Sequence, residues 1–252
     1  MRSLQKWHGA GNDFLVEVAE HDDGWWNPQR ARAVCQRSFG LGADGLLIAT
    51  LDPEVAMVLY NADGSIAEMS GNGIRCLAAA VRRASNATWR ELSVRTDAGV
   101  RVVSIDMDAE TGTGSVAMGE VTLQEPLEGT LGVALVGNPH VVVLDEPEWS
   151  DALREELAAS WSQQMGGANV EFVSVSSRAR VQLRVIERGV GWTLACGTGS
   201  CASAAVLFHA GLIDANVVVA NPGGDLRVRL EGGAAVLSGP VQFVADVEWL
   251  AP

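Results

Sequence analysis

The sequence predicts an α+β chain of two similar halves, each a set of short strands around one helix, and three observations carry that expectation. Short runs rich in β-branched residues recur along most of the chain. Two stretches share one layout, an apolar lead-in, a small nucleophilic residue, Gly-x-Gly and a run of helix formers: AEMSGNGIRC at 67–76 and LACGTGSCA at 194–202. Their nucleophilic residues, Ser70 and Cys196, stand 126 positions apart, half of the 252-residue length, as an internal repeat would place them.

In chain order, β-branched composition and alternation predict strands at 14–18, 46–51, 55–61, 92–96, 100–107, 133–136, 141–145, 170–175, 181–187, 217–220, 226–230 and 242–249. Asn27 followed by Pro28 supplies an N-cap and a first helical position for a helix running to about Phe39. Apolar spacing predicts three further helices at 74–84, 150–163 and 200–210, with Gly211 suited to ending the last. The halves divide near Gly119, before the Pro-, Glu- and Gly-containing stretch 124–132, giving 1–118 and 119–252. The final strand is free to pack back on the first half. No linker or low-complexity segment separates them, so they are expected to pack closely around a cleft.

A formal charge of −13 and a pI near 4.7 argue against nucleic acid as a partner, because such binders cluster Lys and Arg. The N-terminus MRSLQKWHGAGNDF lacks the apolar core of a signal peptide, and no run approaches the ~20 apolar residues of a membrane span. A cytoplasmic protein is expected, with its four cysteines reduced, since none forms a C-x-x-C pair. Four histidines without a ligand-spaced pair point to no metal site. The strings Gly40-x-Gly42-x-x-Gly45 and Gly197-x-Gly199-x-x-Ala202 imitate dinucleotide motifs, but neither sits in a strand–turn–helix unit of the βαβ kind. No cofactor is expected.

A Gly-x-Gly turn entering a helix points free N–H groups and the positive helix pole at one spot, which suits a carboxylate or phosphate. Two such turns can serve one anion, with Ser70 and Cys196 beside it. A thiol at a helix N-terminus is expected to be more acidic than its free value of about 8.5. The pattern fits removal of a proton from one face of a carbon and its return to the other. Taken singly, each turn also reads as a connector and each Asn as a turn residue. Arg188 beside Glu187 could be a surface ion pair, and His140 a strand-end residue bonded to backbone.

Six blocks in order, KWHGAGNDFLV, GLGADGLL, NADGSIAEMSGNGIRC, GNPHVVV, GANVEFVSV and ERGVGWTLACGTGSCA, resemble the diaminopimelate epimerases. These are cofactor-independent amino-acid epimerases of bacterial lysine and peptidoglycan synthesis. The resemblance implies two pseudo-symmetric α+β domains, each a mixed or antiparallel sheet wrapped around a central helix. It also implies an active site in the cleft between them, diaminopimelate as small-molecule substrate, and a homodimer.

Residue by residue, the resemblance implies that Cys196 is one of two catalytic cysteines. Asn12, Asn61, Asn138, Asn169, Glu187 and Arg188 would hold substrate, and Gly71, Asn72, Gly197 and Thr198 the carboxylate at the reacting centre. His140 and Glu187 match side chains that tune the two cysteines. Gly45 stands where some members have a contacting Gln, so that contact is absent.

The second cysteine position holds Ser70. A hydroxyl is a far weaker acid than a thiol, so two-base epimerisation is expected to slow severely while substrate binding survives. Three explanations stay open: a Cys-to-Ser substitution made to trap a complex, a lineage running a Ser–Cys pair, or a scaffold with another task. The leading expectation is conversion of LL- to meso-diaminopimelate. The alternatives are a racemase for another amino acid and a binding homologue with little turnover.

Overall fold

The computed structural model describes residues 1–108 and 110–250. The chain forms two compact units, one made of Met1–Val116 and the chain from Gly239 on, the other of Ala117–Ser238. Residues beyond 238 therefore belong with the first unit rather than with a continuous second half.

The first unit contains β1 (Arg2–Gly9), β2 (Asn12–Ala19), α1 (Pro28–Cys35), β3 (Gly45–Thr50), β4 (Ala56–Asn61), β5 (Ile66–Ala67), α2 (Gly71–Ala84), β6 (Glu91–Thr96), β7 (Gly99–Met107) and most of β8 (Thr111–Glu120). The second contains β9 (Thr122–Gln124), β10 (Gly132–Val136), β11 (Asn138–Leu144), α3 (Asp151–Gln164), β12 (Asn169–Ser177), β13 (Arg180–Glu187), β14 (Gly191–Thr193), α4 (Gly197–His209), β15 (Asn216–Asn221), β16 (Gly224–Glu231) and the start of β17 (Ala234–Trp249).

Strand pairing shows the repeat directly. In the first unit β1, β2, β3, β4, β6, β7, β8 and β17 pair in sequence and β17 returns to β1, closing a ring. In the second, β9 to β13 pair in order and continue through β15, β16 and the start of β17. The two ends of that run meet where Val121 N donates to Gly233 O at 2.9 Å. Each unit has its two parallel pairs at matching places, β2–β3 and β4–β6 against β11–β12 and β13–β15. A parallel pair needs a crossover. The helices supply it, α1 and α2 in one unit and α3 and α4 in the other.

Two of these helices are the cores of their rings. Residues 71–81 of α2 are all buried, as is nearly every residue of α4 through Leu207. A helix buried all round needs small or apolar residues on every face. GNGIRCLAAAV and GTGSCASAAVL meet that need with Gly, Ala, Ser and Cys. Both helices begin three residues earlier than apolar periodicity placed them, because the Gly-x-Gly turn is itself the first helical turn. The first helix instead stops early, at Cys35, where Gly40 N turns back to Gln36 O and Leu41 N to Val34 O.

All twelve expected strands are present. Five others among the described residues lacked a composition signal. The clearest is β8, TGTGSVAMGE, whose glycines dilute strand propensity but are needed by packing: a Cβ on Gly114 would lie 2.9 Å from Ile105 and 3.0 Å from Arg75. No helix among the described residues is long and apolar enough to cross a membrane.

Candidate active site

Ser70 and Cys196 occupy the same position in their units, the N-cap of the buried helix, with nearly the same backbone: φ/ψ of −134/126° and −124/118°. Ser70 Oγ accepts from Gly73 N at 3.0 Å and Cys196 Sγ from Gly199 N at 3.3 Å. Each side chain therefore satisfies one of the orphan donors of a helix start. The amides of Gly71 and Asn72, and of Gly197 and Thr198, make up the rest of each first turn.

Within the first unit the register brings Asn12 to the α2 tip. Asn12 opens β2, while Gly45 opens β3 and pairs with both Phe14 and Asn61. Asn72 Nδ2 donates to Asn12 Oδ1 at 3.2 Å. Asn61 turns to its own loop instead, donating to Ser65 Oγ at 3.0 Å. A side chain at Gly45 would have its Cβ 2.9 Å from Tyr60 O, so backbone packing accounts for the glycine there.

The second unit repeats the layout with different chemistry. Asn138 opens β11, Asn169 opens β12 opposite His140, and Glu187 closes β13. Asn169 accepts from Arg188 N at 3.0 Å and places its Nδ2 3.9 Å from Cys196 Sγ. Thr198 Oγ1 lies 3.4 Å from the same sulfur. Glu187 accepts from Thr193 Oγ1 at 2.6 Å. Arg188 is exposed and reaches Gly167 O at 3.5 Å. Glu187 and Arg188 also line a cavity of about 430 Å³ between α3 and the 187–191 turn.

Burial pushes the Cys196 thiol well above its ordinary value, and the negative charges of Glu187 and Glu171 add to that; Thr198 and the Gly199 amide pull the other way. The acidic thiol expected from the helix tip is thus corrected, because removal from water outweighs the amides aimed at the sulfur. Cys35 and Cys76 are likewise pushed up to about 12 by burial, and neither is a cap residue.

Sequence reasoning missed Glu171. Its carboxylate is fully buried and sits 2.7 Å from His140 Nδ1, also fully buried. His140 Nε2 faces Asn138 Oδ1 at 3.1 Å. Burial raises the Glu171 carboxyl, opposed by His140. Glu171 lies directly beneath the α4 tip, since a Cβ on Gly199 would be 2.6 Å from its Oε1. The available signal was a lone acid inside the otherwise apolar run VEFV at 170–173, all four residues of which are buried.

Among solved structures, a predicted epimerase from Pseudomonas aeruginosa matches over 100% of both chains with a TM-score of 0.79 at 15% identity. A hydroxyproline epimerase from Agrobacterium vitis matches with a TM-score of 0.72 at 17% identity, over 98% of this chain and 93% of that one. The fold is therefore shared with these two proteins. The family model for diaminopimelate epimerase matches residues 4–124 and 132–244. Diaminopimelate epimerases from Xanthomonas campestris and Clostridium perfringens are 38% and 33% identical, over 97% and 98% of this chain and 95% and 99% of theirs. The chain belongs to the diaminopimelate epimerase family.

Proposed function

We propose that this protein epimerises one α-carbon of 2,6-diaminopimelate, interconverting the LL and meso forms, with Ser70 and Cys196 as the two proton-handling positions. The observation that supports this most directly is the matched pair of caps: two nucleophilic side chains with the same backbone geometry at the tips of two equivalent buried helices. The amides of Gly71 and Asn72, and of Gly197 and Thr198, are suited to a carboxylate. Asn12, Asn61, Asn138, Asn169, Glu187 and Arg188 hold the rest of the substrate in this reading, with Arg188 suited to a second carboxylate.

Cys196 rests as a thiol and serves as base only in its thiolate form, its own proton passing to the neighbouring Glu187 carboxylate in this reading. Ser70 keeps the cap but lacks an accessible anion, so turnover is slow and substrate binding persists. Exchange of the α-hydrogen is confined to the isomer presented to Cys196. The test is incubation of LL- and meso-diaminopimelate separately in heavy water, with wild type, Ser70→Cys and Cys196→Ala. Ser70→Cys raises turnover by orders of magnitude and Cys196→Ala abolishes exchange; equal exchange into both isomers by wild type refutes the assignment.

Gly45 favours one alternative, a racemase acting on another amino acid, because the position carries no side chain to contact a distal group. A panel of amino acids scored by loss of optical activity separates the two. A homodimer and a cytoplasmic location accompany the leading reading through the family resemblance, and light scattering tests the first.

A further inference from the structure

The two units are each other's controls, and one polar feature exists in the first alone. Arg75, on the first full turn of α2, is fully buried. Its Nη1 donates to Gly71 O at 2.8 Å and its Nη2 to Asn72 Oδ1 at 2.9 Å. Asn72 Nδ2 donates to Asn12 Oδ1 at 3.2 Å, and Asn12 Nδ2 to Asp44 Oδ2 at 2.8 Å. Asp44 is held in turn by Arg37 Nη2 at 2.7 Å and by the Asp13 amide at 3.1 Å.

The ends of this chain fix its direction. A guanidinium can only donate and a carboxylate can only accept, so neither amide between them can be turned over without setting like groups face to face. Both amide carbonyls are engaged by this arrangement. Each asparagine keeps one N–H that the chain does not use, and that edge is a donor.

The equivalent positions in the second unit hold Thr198 for Asn72, Cys201 for Arg75 and Ala168 for Asp44, while Asn138, the counterpart of Asn12, is held by His140. That unit still closes its ring and caps its helix, so the fold does not require the chain. Space for the arginine is nonetheless made by two glycines: a Cβ on Gly9 would lie 3.3 Å from Arg75 Nη2, and one on Gly114 3.0 Å from its Cβ and Cδ. Burial of a cation costs free energy unless it is paired and bonded.

The geometry points to Asp44 and Arg75 as positioning residues that hold Asn12 and Asn72 as one-way hydrogen-bond donors to the substrate, Asn72 toward the carboxylate at the Ser70–Gly71–Asn72 turn and Asn12 toward an acceptor beside it. This rests on the assignment of that turn as substrate-binding. It deepens that assignment by giving the turn a sign: side-chain donors join backbone donors, so an acceptor group is bound and an ammonium is refused.

Asp44 lies at the exposed end of the chain, so Asp44→Ala removes the acceptor without opening the core. Two measurements on 15N-labelled protein and its variants decide the matter. In the side-chain amide spectrum, Asn12 and Asn72 each show two widely separated protons, one bonded and one not. Asp44→Ala narrows the Asn12 separation and, through the chain, also shifts Asn72; an unmoved Asn72 overturns the relay whatever the substrate is.

In kinetics with diaminopimelate, Asp44→Ala lowers kcat/KM by about 10- to 100-fold, the loss expected when a directed hydrogen bond is misplaced. In an Asn12→Ala background it causes no further loss. Additive losses would mean that Asp44 acts elsewhere and overturn the proposal. Arg75→Lys, which keeps the charge but not the two-pronged contact, loses activity comparably; full activity in that variant overturns the role of Arg75. If wild type neither binds nor turns over diaminopimelate, the functional assignment fails, while the amide spectra still decide the chain.

Discussion

Removing one member of the His140–Glu171 pair should destabilise the protein strongly, whereas removing both should not. The two side chains are wholly buried and 2.7 Å apart, and Glu171 Oε2 has no hydrogen-bond partner among the described residues. The first unit shows what the fold accepts at these places, Phe14 for His140 and Leu47 for Glu171. Glu171→Leu leaves His140 Nδ1 buried without a partner, at a cost of about 1–3 kcal/mol for a neutral group and about 3–5 kcal/mol for a charged one. His140→Phe strands the carboxylate at a similar cost.

The double variant, a copy of the first unit's solution, is expected within about 1 kcal/mol of wild type or more stable, as when a buried polar pair gives way to apolar residues of similar volume. The assay is urea unfolding followed by tryptophan emission. Trp149 and Trp192 pack at ring-centroid distances of 6.4 and 6.0 Å from Phe172, the neighbour of Glu171, and report on this unit. A single variant should lower the thermal midpoint by roughly 6–12 °C at about 3 kcal/mol for a protein of this size. The reasoning is refuted if the double variant loses as much stability as the two singles added together, so that the coupling is below about 0.5 kcal/mol. A stable double variant that no longer turns over diaminopimelate would show that the pair serves the reaction and not the fold.

Absorbance at 240 nm checks the state of Cys196. Its raised value predicts no thiolate step below the ordinary thiol range, so a Cys196-dependent step with a midpoint under 8.5 would contradict the role given to burial. The raised Glu171 carboxyl gives a pH dependence with a definite sign: the folded state binds the proton more tightly than the unfolded chain. Its stabilising contribution is full below the ordinary carboxylate range and is lost as pH rises through the raised value. Wild type should therefore lose stability relative to Glu171→Gln from about pH 4.5 upward, and a constant difference in urea midpoint would refute this. Gly199→Ala and Gly73→Ala should diverge although both glycines are the third residue of their helices. The first drives a Cβ to 2.6 Å from the buried Glu171 carboxylate and should cost about 1–3 kcal/mol in thermal or urea unfolding. The second meets nothing nearer than 3.1 Å, so the helix preference for Ala offsets much of the crowding. Equal losses would remove Glu171 from beneath the α4 tip.

The sequence by itself determined what short-range chemistry controls. Alternation and β-branching marked twelve strands. The Gly-x-Gly turns marked the two helix tips and their caps, and their spacing of 126 revealed the repeat. The family blocks named Asn12, Asn138, Asn169 and Cys196 as site residues; in the fold Asn12 meets Asn72 and Asn169 meets Cys196, while Asn61 turns to its own loop. Tertiary structure alone decided what depends on register and on exclusion of water. Glu171 became a partner of His140 because parallel pairing of β11 with β12 puts them side by side under α4. The Cys196 thiol was raised because the fold buries it. The amides of Asn12 and Asn72 acquired a direction only when Arg75 and Asp44, 31 positions apart in sequence, were brought to the two ends of one hydrogen-bond chain.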